Sequence, residues 1–249
     1  GLSWSLIAGF SPWLKVRYLP KDCIFGHAAL SAFPTQPNHA LPILALLNSS
    51  LITFLHLVLN PLLHNRPPGY VSRVPVSVDA LKSQELTALA QEAHDLLRER
   101  DTGSETSSLF IKPWILSVVN TFHEGERPIL NHPLANQFQW SNWESLDQIR
   151  GVQGSPLVTL HELGELCLER EGLLQKRLDE LQRLIDDEVY HMYEIMDEDR
   201  ALVERELKLI EGQLQTEREE GSESPERTKS VTEDQESRIR DHIMRLISF

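Results

Sequence analysis

Thr159 to Met192, TLHELGELCLEREGLLQKRLDELQRLIDDEVYHM, is the stretch that decides the fold class. Leu160, Leu163, Leu166, Leu174, Leu178, Leu181, Ile185, Val189 and Met192 recur at spacings of three, four or multiples that skip the polar Arg170. That is the period of one face of an α-helix. Thr159 and Glu162 match a capping box, which places the helix start there. Asp197 suits the N-cap of a second helix through Leu202, Leu209 and Ile210 to about Leu214. The pair reads as an antiparallel helical hairpin over residues 159–214.

Beyond the hairpin, residues 215–237 hold a single aliphatic residue, Val231, among Glu, Ser, Thr and Arg. Too little apolar surface is available to offset ordering, so a disordered linker is expected. Residues 238–249, with Ile239, Ile243, Met244, Leu246 and Ile247 at helical spacing, read as the start of a helix cut short by the chain's end. On the other side of the hairpin, residues 83–158 read as a helical spacer and loop. Leu86, Leu89, Ala93, Leu96 and Leu97 mark a helix from about Ser83 to Arg100. Ser104 to Leu116 has the composition for a further helix, and the polar, proline-interrupted residues 123–140 read as loop.

The first 82 residues differ in character. Leu14 to Leu19 alternates apolar with basic side chains at period 2, and Gly and Pro punctuate residues 1–34, so short strands and turns are expected. From Cys23 to Asn65 there is no Asp, Glu, Lys or Arg. Ile43 to Leu59 is apolar enough for a membrane span, but Asn48, Ser49, Ser50, Thr53 and His56 interrupt it and Pro42 and Pro61 bound it. It is too short and too polar for that, and reads as one buried helix with no membrane partner. His64 to Val76 reads as a loop followed by a short extended segment, because residues before proline avoid the helical region. The fold class is therefore α+β and predominantly α: short strands at the N-terminus, a buried helix, then a long helical hairpin.

Charge divides the chain. The net charge is −13. Residues 1–85 carry six cations against three acids, a net +3, which leaves −16 for the remainder. A polyanion would have to meet the first third. Lys15, Arg17 and Lys21 alternate there with Trp13, Tyr18 and Phe25, and Arg66 and Arg73 flank Pro67-Pro68-Gly69-Tyr70. Cations that position a phosphate backbone beside loop residues that read base edges are what a DNA-binding surface needs.

Other constellations carry less. His161-Glu162-Leu163-Gly164-Glu165 begins like a zinc-protease helix, but Glu165 stands where the second histidine belongs. His123, Glu124, Glu126 and His132 are a chance gathering on a polar loop, so no metal site is expected. Asn48-Ser49-Ser50 fits a glycosylation sequon inside a buried segment and reads as structural, with Asn48 capping or packing within its helix. No phosphate-binding glycine loop and no nucleophile elbow occurs, so no catalytic residue is expected. Cys23 and Cys167 lack metal-ligand spacing, and a reducing, cytoplasmic setting is expected. With no initiator methionine, the chain reads as a piece of a longer protein.

Three stretches, Gly1-Leu2-Ser3-Trp4, Val16 to Phe25 and Leu44 to Leu55, closing with Val71 to Val76, resemble the target-recognition region of large adenine-specific DNA methyltransferases. The relatives are the PglX-like methylases of BREX and DISARM phage-defence systems and the fused type II restriction methylases. Leu89 to Asp101 with Glu105 to Phe110 and Pro113 resembles the spacer that follows. Ile185-Asp186-Asp187-Glu188-Val189-Tyr190-His191-Met192-Tyr193 with Asp197 to Glu206 is similar to their helical-hairpin signature. Two departures stand out: Glu194 replaces the usual glycine after the hairpin tyrosine, and Gly26-His27-Ala28-Ala29 replaces a more polar, basic turn.

The resemblance implies a non-catalytic recognition and spacer segment that holds double-stranded DNA while a separate domain flips and methylates adenine. Lys15, Arg17, Lys21, Arg66, Tyr70 and Arg73 would be the DNA contacts, with Asn48 a weaker candidate. No cofactor binds these residues on this reading; S-adenosylmethionine belongs to the parent protein. Other defence-system subunits are possible partners. The competing expectation is a protein-interaction module that docks a partner subunit through its acidic hairpin.

Overall fold

The computed structural model describes residues 1–7, 9–60, 64–104, 106–107, 109–114 and 160–220. Over these the chain is α+β and mostly α. It divides into two units, Gly1–Leu96 with Arg177–Arg227, and Leu97–Lys176 with Thr228–Phe249.

In the first unit, strand β1 (Leu2–Ser5) lies between β2 (Arg17–Tyr18) and β3 (Ala29–Ala32) in an antiparallel sheet of order β2-β1-β3. Leu2 pairs with Tyr18 on one side and Ala32 on the other. The period-2 pattern holds: Leu2 and Trp4 are buried, as are Leu14 and Val16, while Lys15 and Arg17 face out. Strand β2 is only two residues long, because Lys15 takes a left-handed φ of 51° that breaks the extended chain just before it.

The apolar run is helical and buried, but in two pieces. Helices α1 (Ala40–Leu47) and α2 (Ser50–Leu59) meet with a bend of 77° between Pro37–Leu47 and Ser50–Leu59. The single helix expected over Ile43 to Leu59 is thus corrected. Asn48, Ser49 and Ser50 have short polar side chains that compete for backbone groups and start helices rather than continue them. Ser49 is the N-cap of α2: its hydroxyl accepts from the Ile52 amide at 3.4 Å and donates to the Leu46 carbonyl at 2.7 Å. Among the described residues no single helix is long and apolar enough to cross a membrane.

Pro67 and Pro68 do not give an extended segment either. They form the N-cap and first residue of a one-turn helix, α3 (Pro68–Val71), where the missing proline amide costs nothing. Helix α4 (Val78–Lys82) follows, and then α5 (Gln84–Thr102), whose start is held by the Ser83 hydroxyl on the Leu86 amide at 3.0 Å.

The hairpin consists of α6 (Leu160–Met192) and α7 (Asp197–Glu220). Leu181, Ile185 and Val189 of α6 and Val203 and Leu207 of α7 are buried. Ile185, Val189, Val203 and Leu207 share one core with Leu2, Trp4, Leu46, Ile52, Leu86 and Ala90. The segments 1–82 and 159–214 are therefore not independently folded pieces. Helix α7 continues six residues beyond Leu214, so Gln215 to Glu220 is helix rather than linker. The remainder of that expected linker, the expected terminal helix, the capping Thr159 and the loop at 123–140 lie outside the described residues.

The turn between the two helices passes through a left-handed residue. The Ile195 amide donates to the Tyr190 carbonyl and the Glu194 amide to the His191 carbonyl, both at 3.0 Å, the paired bonds of a helix end that turns left-handed. Glu194 sits at the left-handed position with φ 53°, where glycine carries no steric penalty. Its side chain is exposed. Glu194→Gly is expected to stabilise the fold by about 0.5–1 kcal/mol, read as a rise in urea midpoint. A lower midpoint would contradict the strain.

In the second unit, Arg170 pairs with Glu99 and lies over the Trp114 ring, 4.6 Å from its centre. Trp114 is buried, and a side chain at Gly103 would collide with its indole. Ser104 to Pro113 form turns in their described parts rather than the expected helix. Cys167 is buried and Cys23 exposed, and neither is in a disulfide among the described residues.

Candidate nucleic-acid interface

The bend between α1 and α2 places the basic strand. Asn48 closes α1, and its side chain then leaves the helix axis to bind the backbone of Val16: Oδ1 accepts from the Val16 amide and Nδ2 donates to the Val16 carbonyl, each at 2.9 Å. A side-chain amide so arranged imitates a paired strand. It fixes the chain immediately between Lys15 and Arg17, so Asn48 is a positioning residue for both cations.

Across the same bend lies Asp186 of α6. Its carboxylate accepts from the Ser50 amide at 2.6 Å and the Ser50 hydroxyl at 2.8 Å, at the N-terminus of α2, where the helix dipole favours negative charge. Gln182 donates to Asp186 at 3.2 Å and to the Asn48 carbonyl at 3.1 Å. Burial pushes the Asp186 carboxyl above its ordinary range, against the bonds from Ser50 and Gln182 and the charge of Arg200, which pull it down. Farther along, the Tyr193 hydroxyl donates to the Pro75 carbonyl at 2.7 Å and accepts from the Ser77 amide at 3.2 Å.

The six residues expected to meet DNA fall into three groups. Lys15, Arg17 and Lys21 lie exposed within seven positions around β2. None forms an ion pair among the described residues. Tyr70 is half-buried beside exposed Arg73, whose guanidinium lies 5.5 Å from the ring centre, and Arg73 also has no carboxylate partner there.

Arg66 is the correction. It is only 3% exposed, and its guanidinium donates to the Ser11 carbonyl at 2.7 Å. Its amide donates to the Leu6 carbonyl and its own carbonyl accepts from the Trp4 indole, so it ties the α3 loop to the sheet and cannot reach a phosphate. Burial lowers it to about 10, which leaves it charged at neutral pH.

Elsewhere several arginines are paired internally. Arg177 grips Glu92 through two bonds of 2.7 and 3.0 Å and also meets Glu180; Arg183 pairs with Asp187, Arg200 with Asp187 and Glu204, and Arg205 with Glu206. Lys208 and Arg218 of α7 are exposed and, like the cations around β2, form no ion pair among the described residues; what sets the latter apart is their clustering within seven positions.

Sequence reasoning missed the polar ridge on α2. Ser49, Thr53, His56 and Asn60, spaced by four, three and four, are all buried. Burial, with the Arg66 charge adding to it, pushes His56 down to about 4, and neither ring nitrogen has a hydrogen-bond partner among the described residues. The helical spacing of these four residues was the available signal, masked by the apolar residues around them. The partial zinc motif resolves into an exposed contact of 3.6 Å between His161 and Glu165, and no group of residues among those described could hold a metal. Among the described residues the one sheet is antiparallel. Compared with known proteins, the chain matches no family model, no curated protein and no solved structure.

Proposed function

We propose that the chain is a non-catalytic DNA target-recognition and spacer segment of an adenine-N6 DNA methyltransferase of a restriction or phage-defence system. The observation that carries this reading is the split among cations. Lys15, Arg17 and Lys21 stand exposed within seven positions, with no ion pair among the described residues, in a first third of net charge +3, while Arg177, Arg183, Arg200 and Arg205 of the acidic hairpin are each paired with a carboxylate. Unpaired surface cations are what releases counterions from a phosphate backbone. A second support is that two of the stretches resembling the methylases are joined: Asn48-Ser49-Ser50 by Gln182 and Asp186, and Pro75 by Tyr193. They belong to one module rather than to separate likenesses.

The partner-docking alternative asks for an exposed apolar stripe along α6. In the described part of that stripe, Leu174, Leu181, Ile185 and Val189 are buried, so this part offers no exposed apolar face to a partner.

Arg17→Glu with Lys21→Glu is expected to weaken binding to a fluorescent duplex of about 30 base pairs by tenfold or more and to lower the salt slope by about 2. Lys208→Glu with Arg218→Glu changes net charge equally on exposed positions of α7 and should leave affinity within about threefold. Equal losses in both pairs would reduce the effect to net charge and remove the basic strand from the interface.

A further inference from the structure

We propose that Ile24 is a wedge that enters a base step of the DNA held by Lys15, Arg17 and Lys21; the inference rests on the DNA reading above. Every residue from Pro20 to Ala28, the connection between β2 and β3, is exposed, and Ile24 is 100% exposed. Large apolar residues on a free loop tip are a liability unless something covers them.

The loop is nevertheless shaped. Asp22 turns it with a left-handed φ of 64°, the Ala29 amide closes a turn on the Gly26 carbonyl at 3.0 Å, and the Leu6 amide holds the Ala28 carbonyl at 2.8 Å. Next to the tip, Phe25 packs on Phe33 just after β3, with ring centres 5.8 Å apart.

Charge identifies the occupant. The tip comes three residues after Lys21, with Lys15 and Arg17 before it in and beside β2, and Asp22 is the only acid between Gly1 and Asn65. A run of cations leading into an exposed apolar tip suits a polyanion with an apolar interior. Duplex DNA offers both: phosphates outside and stacked bases that isoleucine wedges can part, most easily at TpA steps. The unusual Gly26-His27-Ala28-Ala29 turn fits this picture, because it carries no hydrogen-bonding fork for base edges but leaves the neighbouring Ile24 unobstructed.

The test uses the 249-residue chain and a duplex of about 30 base pairs carrying 2-aminopurine at TpA steps, at about 50 mM salt, with anisotropy reporting binding and 2-aminopurine emission reporting unstacking. Emission is expected to rise about twofold on binding by the parent chain, and to stay flat for bound Ile24→Ala while its salt slope is unchanged. Lys21→Ala should do the opposite, losing about 1 from the salt slope and keeping the emission rise at saturation. Ile24 is fully exposed, so its replacement leaves the fold intact, checked by circular dichroism. Binding without an emission rise, or an equal rise with Ile24→Ala, overturns the wedge and leaves the DNA reading standing. No anisotropy change for the parent chain overturns both.

Discussion

Asp186→Ala should lower the stability of the first unit by about 3 kcal/mol, measured by urea unfolding. The carboxylate is the shared acceptor of the Ser50 amide, the Ser50 hydroxyl and Gln182, and Ser50 is itself buried. Removing it strands a buried amide at the first residue of α2, where no helical carbonyl can serve it. Asp186→Asn keeps an oxygen for the Ser50 amide and relieves the burial of a charge, while losing the favourable interaction with the helix dipole. Its cost is expected to be about 1 kcal/mol. Ser50→Ala combined with Asp186→Ala should cost less than the sum of the two by about 1 kcal/mol or more. Additive losses would show that the two side chains do not act as a pair.

The second large effect is on acid stability, through His56. Its pKa is held at about 4, against 6.5 for an ordinary histidine. Above pH 6.5 the ring is neutral in the folded and unfolded chains alike, and no stability depends on it. As pH falls below 6.5 the unfolded chain takes up a proton that the folded chain refuses, so stability is lost down to about pH 4 and the loss then levels off. The full loss is about 3 kcal/mol, from about 1.4 kcal/mol for each pH unit of the gap. Urea unfolding at pH 7.5 and 4.5 should therefore show a fall in the parent chain that is smaller by about 2–3 kcal/mol in His56→Phe, whatever that variant does to stability at pH 7.5. The carboxylates and other histidines contribute equally to both chains. Identical falls would mean that His56 is reached by water or by a proton acceptor in the folded state.

The helices were legible where one periodicity dominates. Leu181, Ile185 and Val189 lie on the face that the spacing assigns, and the alternation of Leu14, Lys15, Val16 and Arg17 gives the buried and exposed sides of the strand region correctly. What failed did so for local reasons. Asn48, Ser49 and Ser50 looked like polar interruptions of one helix because their partners, Val16 and Asp186, are 32 and 136 residues away. Arg66 looked like its neighbour Arg73, since nothing nearby in sequence reveals that Ser11 waits for its guanidinium. Pro67 and Pro68 argued against helix through the residue before them, whereas their own backbone suits a helix start. The candidate interface was legible as a basic, aromatic-interleaved stretch. Which of its cations are free could only be read once the acids had been placed.

The joint at Ser50 and Asp186 also has a consequence for how the chain is made. The sheet, α1 and α2 come from the first quarter of the sequence, yet the acceptor that completes α2 arrives 136 residues later. A loop of that length is slow to close, and contacts so distant in sequence belong late in folding. On the ribosome, the segment that carries Arg17 and Ile24 waits with the N-terminus of α2 incomplete until α6 has emerged. The apolar run from Ala40 to Leu59, inside the uncharged stretch from Cys23 to Asn65, is exposed during that interval, which makes it the place where a chaperone would be needed and where a truncated product would aggregate.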